Sequence, residues 1–271
     1  MLNLTRMMPI TETFTRPIIT FCAGCLLLSL GFGAPAKAQI VNYGSCVELV
    51  RVDPDAAYDA ALAWADTDLT GGASHCAGLA LVGLGLFEAA ADRFTRAAVE
   101  GQKMDNMEKA LLHQQAGDSW LMANSGTNAT DAFTQALVYM PEDPELLFGR
   151  ARGYELEKQT ALALQDVNLA IARKPTYGAA YLLRGRLHRQ SKQLDAAAAD
   201  IEAALANGID QVAARLERGL IRYEMGNEAG ALEDWRAVIA ADQRPDGSAG
   251  PAAMAANRFI AEVEAGAPTQ P

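Results

Sequence analysis

Histidine, cysteine and positive charge are scarce in this chain, and each shortage removes a class of chemistry. The three histidines, His75, His113 and His188, stand at spacings that no metal site uses. His75 adjoins Cys76, but neighbouring helical side chains point about 100° apart and do not converge on one ion. Lys and Arg number 23 against 33 acidic residues, a formal net charge of −10. The first 38 residues contribute Arg6, Arg16 and Lys37 against Glu12, so the remainder stands near −12. That balance argues against nonspecific nucleic-acid binding and against adhesion to anionic lipid. Catalytic motifs are missing too: there is no Gly-x-Ser-x-Gly, no phosphate loop and no His-Glu-x-x-His. Gly83-Leu84-Gly85 is an isolated glycine pair, and Glu233 and Asp234 are helical neighbours that diverge. No enzymatic activity, cofactor or metal is expected.

Long apolar runs are also lacking. The longest, from Pro17 to Gly33, is a run of roughly 16 residues, short of the ~20 that a spanning helix needs. Basic residues precede it and Ala34-Pro35-Ala36-Lys37-Ala38 follows, the order of an export signal cleaved after Ala38. A membrane anchor is the alternative. A lipoprotein reading fits less well, because Cys25 sits mid-run without the leucine it needs upstream. Cleavage would remove Cys22 and Cys25 and leave Cys46 and Cys76, an even pair that favours a disulfide in an oxidising compartment. The protein is expected to be periplasmic or secreted, with no membrane span after cleavage.

What is abundant is a period. Gly185 and Gly219 lie 34 residues apart, as do Ala163, Ala197 and Ala231, and Ala170 and Ala204. This is too long for a hairpin or heptad register and matches a stacked helix-turn-helix unit. Between Gly178 and Ile209, Tyr181, Gly185 and His188 sit at helical spacing, Lys192-Gln193-Leu194 interrupts, and Ala197, Ile201 and Ala204 resume. Two helices with small residues at their crossing are predicted.

These residues resemble the tetratricopeptide repeat. Its position 8 (Gly or Ala) falls on Gly78, Gly117, Ala151, Gly185 and Gly219. Position 20 (Ala) falls on Ala90, Ala129, Ala163, Ala197 and Ala231, and position 24 (large apolar) on Phe94, Phe133, Val167, Ile201 and Trp235. Position 27 falls on Ala97, Ala136, Ala170, Ala204 and Val238, with Pro141 and Pro175 at position 32. The resemblance implies an all-α, right-handed helical-hairpin solenoid of about five units with terminal capping helices. The expected divisions are a signal peptide over 1–38, an N-terminal capping segment over 39–70, the array over 71–243, a linker over 244–251 and a capping helix with tail over 252–271. Asp55 to Asp66 is Ala-rich and suited to cover the first unit. Units one and two are offset by 39 residues, so an insertion is placed near Gly101 to Glu108. Asn128-Ala129-Thr130 fits a glycosylation sequon at the start of a helix, where a capping role for Asn128 is the plainer reading.

Arginines concentrate in the last three units. Arg150, Arg184 and Arg218 all fall on position 7, and the same units carry Asp166, Asp200 and Asp234 at position 23, which units one and two lack. Their co-occurrence predicts structural Arg–Asp pairs. The resemblance also implies a concave groove lined by helix A of each unit: Phe148 and Arg152 in unit three, Leu182, Arg186 and Arg189 in unit four, Leu216 and Tyr223 in unit five. His75, Leu79, Gln114, Asp118, Leu121 and Met122 are its counterparts in units one and two. An apolar floor with an arginine edge suits a peptide carrying apolar anchors and a carboxylate. The expected function is a non-enzymatic interaction module or scaffold that binds a protein or peptide partner in this groove. Self-association in a structural role, or service as an accessory subunit of an envelope enzyme, are the alternatives.

Overall fold

The computed structural model describes residues 42–266, so the export segment expected over 1–38 and its cleavage after Ala38 lie outside the described residues. Helix α1 (Tyr43–Val52) opens on a capping box in which the Asn42 side chain accepts from Ser45 N at 3.0 Å. Asp53 ends α1 and caps α2 (Pro54–Ala65), accepting from Ala56 N at 3.0 Å, while Pro54 occupies the first helical position. The N-terminal cap is thus a helical hairpin, where the sequence pointed to one amphipathic stretch from Asp55. The Cys46–Cys76 disulfide ties α1 to the first helix of the array across a Cα–Cα distance of 6.2 Å.

Five helical hairpins follow: α3 (Gly72–Gly83) with α4 (Phe87–Glu100), α5 (Asn106–Met122) with α6 (Gly126–Tyr139), α7 (Pro144–Leu156) with α8 (Thr160–Arg173), α9 (Gly178–Gln190) with α10 (Leu194–Ala206), and α11 (Gln211–Glu224) with α12 (Glu228–Ala241). A turn containing a single bridge between Gln243 and Ala249 leads to α13 (Pro251–Glu264), which packs on α12 and α11 as the expected C-terminal cap. The fold is an all-α solenoid; among the described residues there is no β-strand beyond that bridge.

The period reads as steric fit. The position-20 alanines Ala90, Ala129, Ala163, Ala197 and Ala231 are fully buried, and Phe94, Phe133, Val167, Ile201 and Trp235 fill the space beside them. A β-carbon at Gly78 would lie 2.6 Å from the Phe94 ring, at Gly117 2.7 Å from Phe133, and at Gly185 2.9 Å from Ile201. Where the filler is the smaller Val167, position 8 is Ala151. Size is traded between positions 8 and 24 so that each crossing reaches close packing.

Every hairpin turns through one left-handed residue at the same repeat position: Gly85, Asn124, Lys158, Lys192 and Gly226. Lysine carries a steric cost there that glycine does not. The insertion between the first two units resolves into a loop and an extra turn of helix. Asp105 accepts from Glu108 N and Glu108 accepts from Asp105 N, both at 2.8 Å, and this box starts α5 ahead of the repeat register at Asn106. Asn128 caps nothing: it is exposed within α6, whose cap position is Ser125.

From the second pair on, the first helix also touches its successor, α5 on α7, α7 on α9, α9 on α11 and α11 on α13. Such contacts set these helices on the inside of the curve. Their exposed faces form the inner surface on which the candidate groove residues lie.

Candidate functional site

Two sets of charged residues share the inner helices. In the first, Arg150 donates Nε and Nη2 to the two oxygens of Asp166 at 2.7 and 2.9 Å. Arg184 does the same to Asp200 at 2.9 and 2.6 Å, and Arg218 to Asp234 at 3.0 and 2.8 Å. The planar fork suits a carboxylate held two-handed. Each third nitrogen, Nη1, reaches back to the outer helix of the preceding unit: Arg150 to Thr134 at 3.4 Å, Arg184 to Asn168 at 2.8 Å and Arg218 to Glu202 at 3.1 Å. Thr134, Asn168 and Glu202 repeat at 34 residues as well, a polar column the sequence reading passed over. The three aspartates are buried, and hydrogen bonding to them holds the three guanidiniums above their ordinary range despite burial. These arginines join units.

The second set lines the groove. Phe148 packs between two core clusters with its ring 5.1 Å from that of Tyr177. Arg152 is exposed and stacks over Phe148 at 6.0 Å, with no carboxylate in ion-pair contact among the described residues. It faces Asp118, whose carboxyl is raised by burial and partly restored by the Arg152 charge. Leu182 is half-buried one unit on, and Arg186 Nε lies 3.2 Å from Glu155 Oε1. Burial pushes Glu155 up against the pull of Arg186. Burial and the nearby Glu145 push the Tyr177 phenol up to about 12. Asp118, Arg152, Glu155 and Arg186 thus form an alternating row beside an apolar floor of Phe148 and Leu182.

Arg189 is not part of that row. It is only 5% exposed, and it donates Nε to Glu217 at 2.5 Å and Nη1 to Glu224 at 2.9 Å. Lys192 reinforces the joint by reaching Glu224 at 2.8 Å. The reason is chemical: Glu217 is itself buried and needs a guanidinium beside it. Nothing in the 34-residue pattern marks this pair, because unit five alone supplies both carboxylates. Leu216 and Tyr223 belong more to the C-terminal core than to the groove. The Leu216 carbonyl accepts from Trp235 Nε1 at 3.3 Å and the Tyr223 ring lies 6.1 Å from Trp235. At the other end α1 covers part of the lining: Tyr43 stacks on His75 with ring centroids 5.5 Å apart and their side chains share a hydrogen bond of 2.7 Å. Burial lowers His75, which keeps the imidazole neutral.

Among the described residues no cluster of His, Cys, Asp and Glu has the makings of a metal site, and no helix is long and apolar enough to cross a membrane. No family model matches the chain. In sequence it is similar to RNA polymerase II-associated protein 3 of Xenopus tropicalis, 28% identical over 131 residues, covering 48% of this chain and 20% of that protein. The match thus spans only about a fifth of the relative's own length. In structure it is similar to a tetratricopeptide repeat protein of Parabacteroides merdae, with a TM-score of 0.57, 15% identity and coverage of 77% of this chain and 82% of that one. A thermophilic tetratricopeptide repeat protein of Thermus thermophilus gives a TM-score of 0.51 at 19% identity over 63% of this chain and 90% of that one. Residues 42–266 therefore carry the fold of the tetratricopeptide-repeat solenoids.

Proposed function

We propose that the protein is a non-enzymatic interaction module of a bacterial-type periplasm, and that it binds an extended or helical peptide across the inner face of units two to four. One observation carries the proposal: Arg152 lies exposed over the Phe148 ring without an ion-pair partner among the described residues, while the other arginines at groove positions, Arg186 and Arg189, lie against carboxylates. An uncommitted guanidinium above an aromatic floor accepts a partner carboxylate two-handed, with Phe148 and Leu182 receiving apolar side chains. Asp118 and Glu155, both raised by burial, disfavour a second anion and favour a backbone amide or a lysine at the flanks. The export-type segment before Ala38 and the Cys46–Cys76 disulfide support an oxidising compartment.

Affinity capture with wild-type protein and with Arg152→Glu tests this reading. Loss of the captured partner in Arg152→Glu, with retention in Arg215→Glu, is the expected result. Equal recovery by both variants contradicts it.

A further inference from the structure

A cavity of about 560 Å³ opens between the first two units, where the repeat is out of register. The insertion builds one of its walls. Met104 folds back over two glycines: a β-carbon at Gly101 would lie 2.7 Å from Met104 Cγ, and one at Gly71 3.2 Å from its Cε. Met104 also packs on the core beneath the first hairpin, so the wall is anchored. Leu69, Leu111 and Leu112 complete an apolar lining, and Leu69 and Leu111 are 77% and 50% exposed.

Most of the polar lining is already engaged. Thr70 Oγ1 donates to Asp68 at 2.6 Å and accepts from Gly72 N at 3.3 Å. Glu108 is held in the capping box of α5. His75 is bonded to Tyr43, and burial lowers it. The one cation of the lining is Lys103, which is exposed and has no hydrogen-bond or ion-pair partner among the described residues. Beside it the Gln102 side chain is equally uncommitted.

We propose that this cavity binds a small amphiphilic monocarboxylate, its apolar body on Met104, Leu111 and Leu112 and its carboxylate on Lys103 with the Gln102 amide. The volume falls within the roughly 300–1,000 Å³ of small-molecule sites, and the lining follows their pattern of apolar walls with few polar groups. A single cation beside the negative Glu108 suits one negative charge and disfavours a dianion such as phosphate. The site shares His75 with the first-unit lining but none of Phe148, Arg152, Leu182 and Arg186, and it does not depend on a peptide binding to those four.

Calorimetric titration of the full chain with decanoate, 1-decanol and the peptide acetyl-Ala-Ala-Leu tests it. Decanoate binding is expected, weakened about tenfold by Lys103→Gln through loss of one charge-assisted hydrogen bond. The same substitution leaves 1-decanol unchanged, whereas Leu111→Asp weakens both ligands. Leu111 and Lys103 are exposed, so both variants keep the fold, which circular dichroism checks. No decanoate binding, or binding indifferent to both substitutions, overturns the proposal. Binding of the peptide without decanoate assigns the cavity to a polypeptide C-terminus and overturns it as well.

Discussion

The indole of Trp235 lies so close over Gly219 that a β-carbon built on the glycine would sit 2.6 Å from Cδ1. Trp235 is fully buried and joins the last hairpin to the C-terminal cap, with the Phe259 ring 5.4 Å away. One methyl group at this crossing has nowhere to go, because protein interiors are packed to crystal density.

Gly219→Ala should therefore destabilise the protein by about 1–3 kcal/mol, the range for overpacking a well-filled core. Combining it with Trp235→Val, which reproduces the Ala151–Val167 pairing of unit three, should cost less than the sum of the two single changes. Urea melts of the four proteins measure the coupling. Strict additivity would show that the two positions do not trade volume.

The Arg184–Asp200 pair makes a prediction of opposite design. Arg184→Leu leaves Asp200, 5% exposed, without its two-handed partner, and should cost about 3–5 kcal/mol. The double variant Arg184→Leu/Asp200→Leu should recover most of that loss, though not the bond from Arg184 to Asn168 at 2.8 Å. Equal loss in single and double variants would mean that packing, and not a stranded charge, sets the cost.

Lys158 offers a stabilising change. Its φ of 57° places it in the left-handed region, and its side chain makes no hydrogen bond or ion pair among the described residues. Lys158→Gly should raise stability by about 0.5–1 kcal/mol, the relief of left-handed strain less the entropy of a glycine. Lys192 shares the geometry at φ 60° but bonds Glu224 at 2.8 Å, so the same change there should gain less. Thermal melts of the two variants compare them.

Asp118 gives a pH signature. Burial raises its carboxyl, and Arg152 only partly offsets the shift. A carboxyl whose folded value lies above the unfolded one contributes stability that is fully present below the unfolded value, near 3.8, and is lost as pH rises through the folded value. Asp118→Asn should thus stabilise the protein at pH 7 and have no such effect at pH 3. Urea melts at the two pH values check the sign; a neutral-pH loss would show that the Arg152 attraction outweighs burial.

These residues also mark what was legible before any coordinates. The hairpins and the Arg–Asp pairs were written in the period, because helix crossings demand small residues at fixed spacing and the pairs recur with them. The left-handed turns were hidden, since lysine and asparagine stand where glycine would have announced them. Helix α1 was missed because it is only 10 residues long and its start depends on the Asn42 and Ser45 capping box. Arg189 was misplaced for a different reason. Its position in the repeat points to the groove, but the partners that hold it, Glu217 and Glu224, belong to unit five alone. The cavity beside Met104 had one trace in the sequence, the 39-residue offset between units one and two. It lies in the irregular half, away from the strictly spaced repeats.

Photocrosslinking from the inner face tests the central claim most directly. A photoreactive residue is placed at Leu182, half-buried beside Arg186, and as a control at Val138, which is 66% exposed on the outer helix α6. In cells of the native host the Leu182 probe should form a discrete adduct that Arg152→Glu abolishes, while the Val138 probe forms none. The same adduct from both positions, or an adduct at Leu182 that survives Arg152→Glu, would contradict recognition of a partner by the Phe148–Arg152 groove.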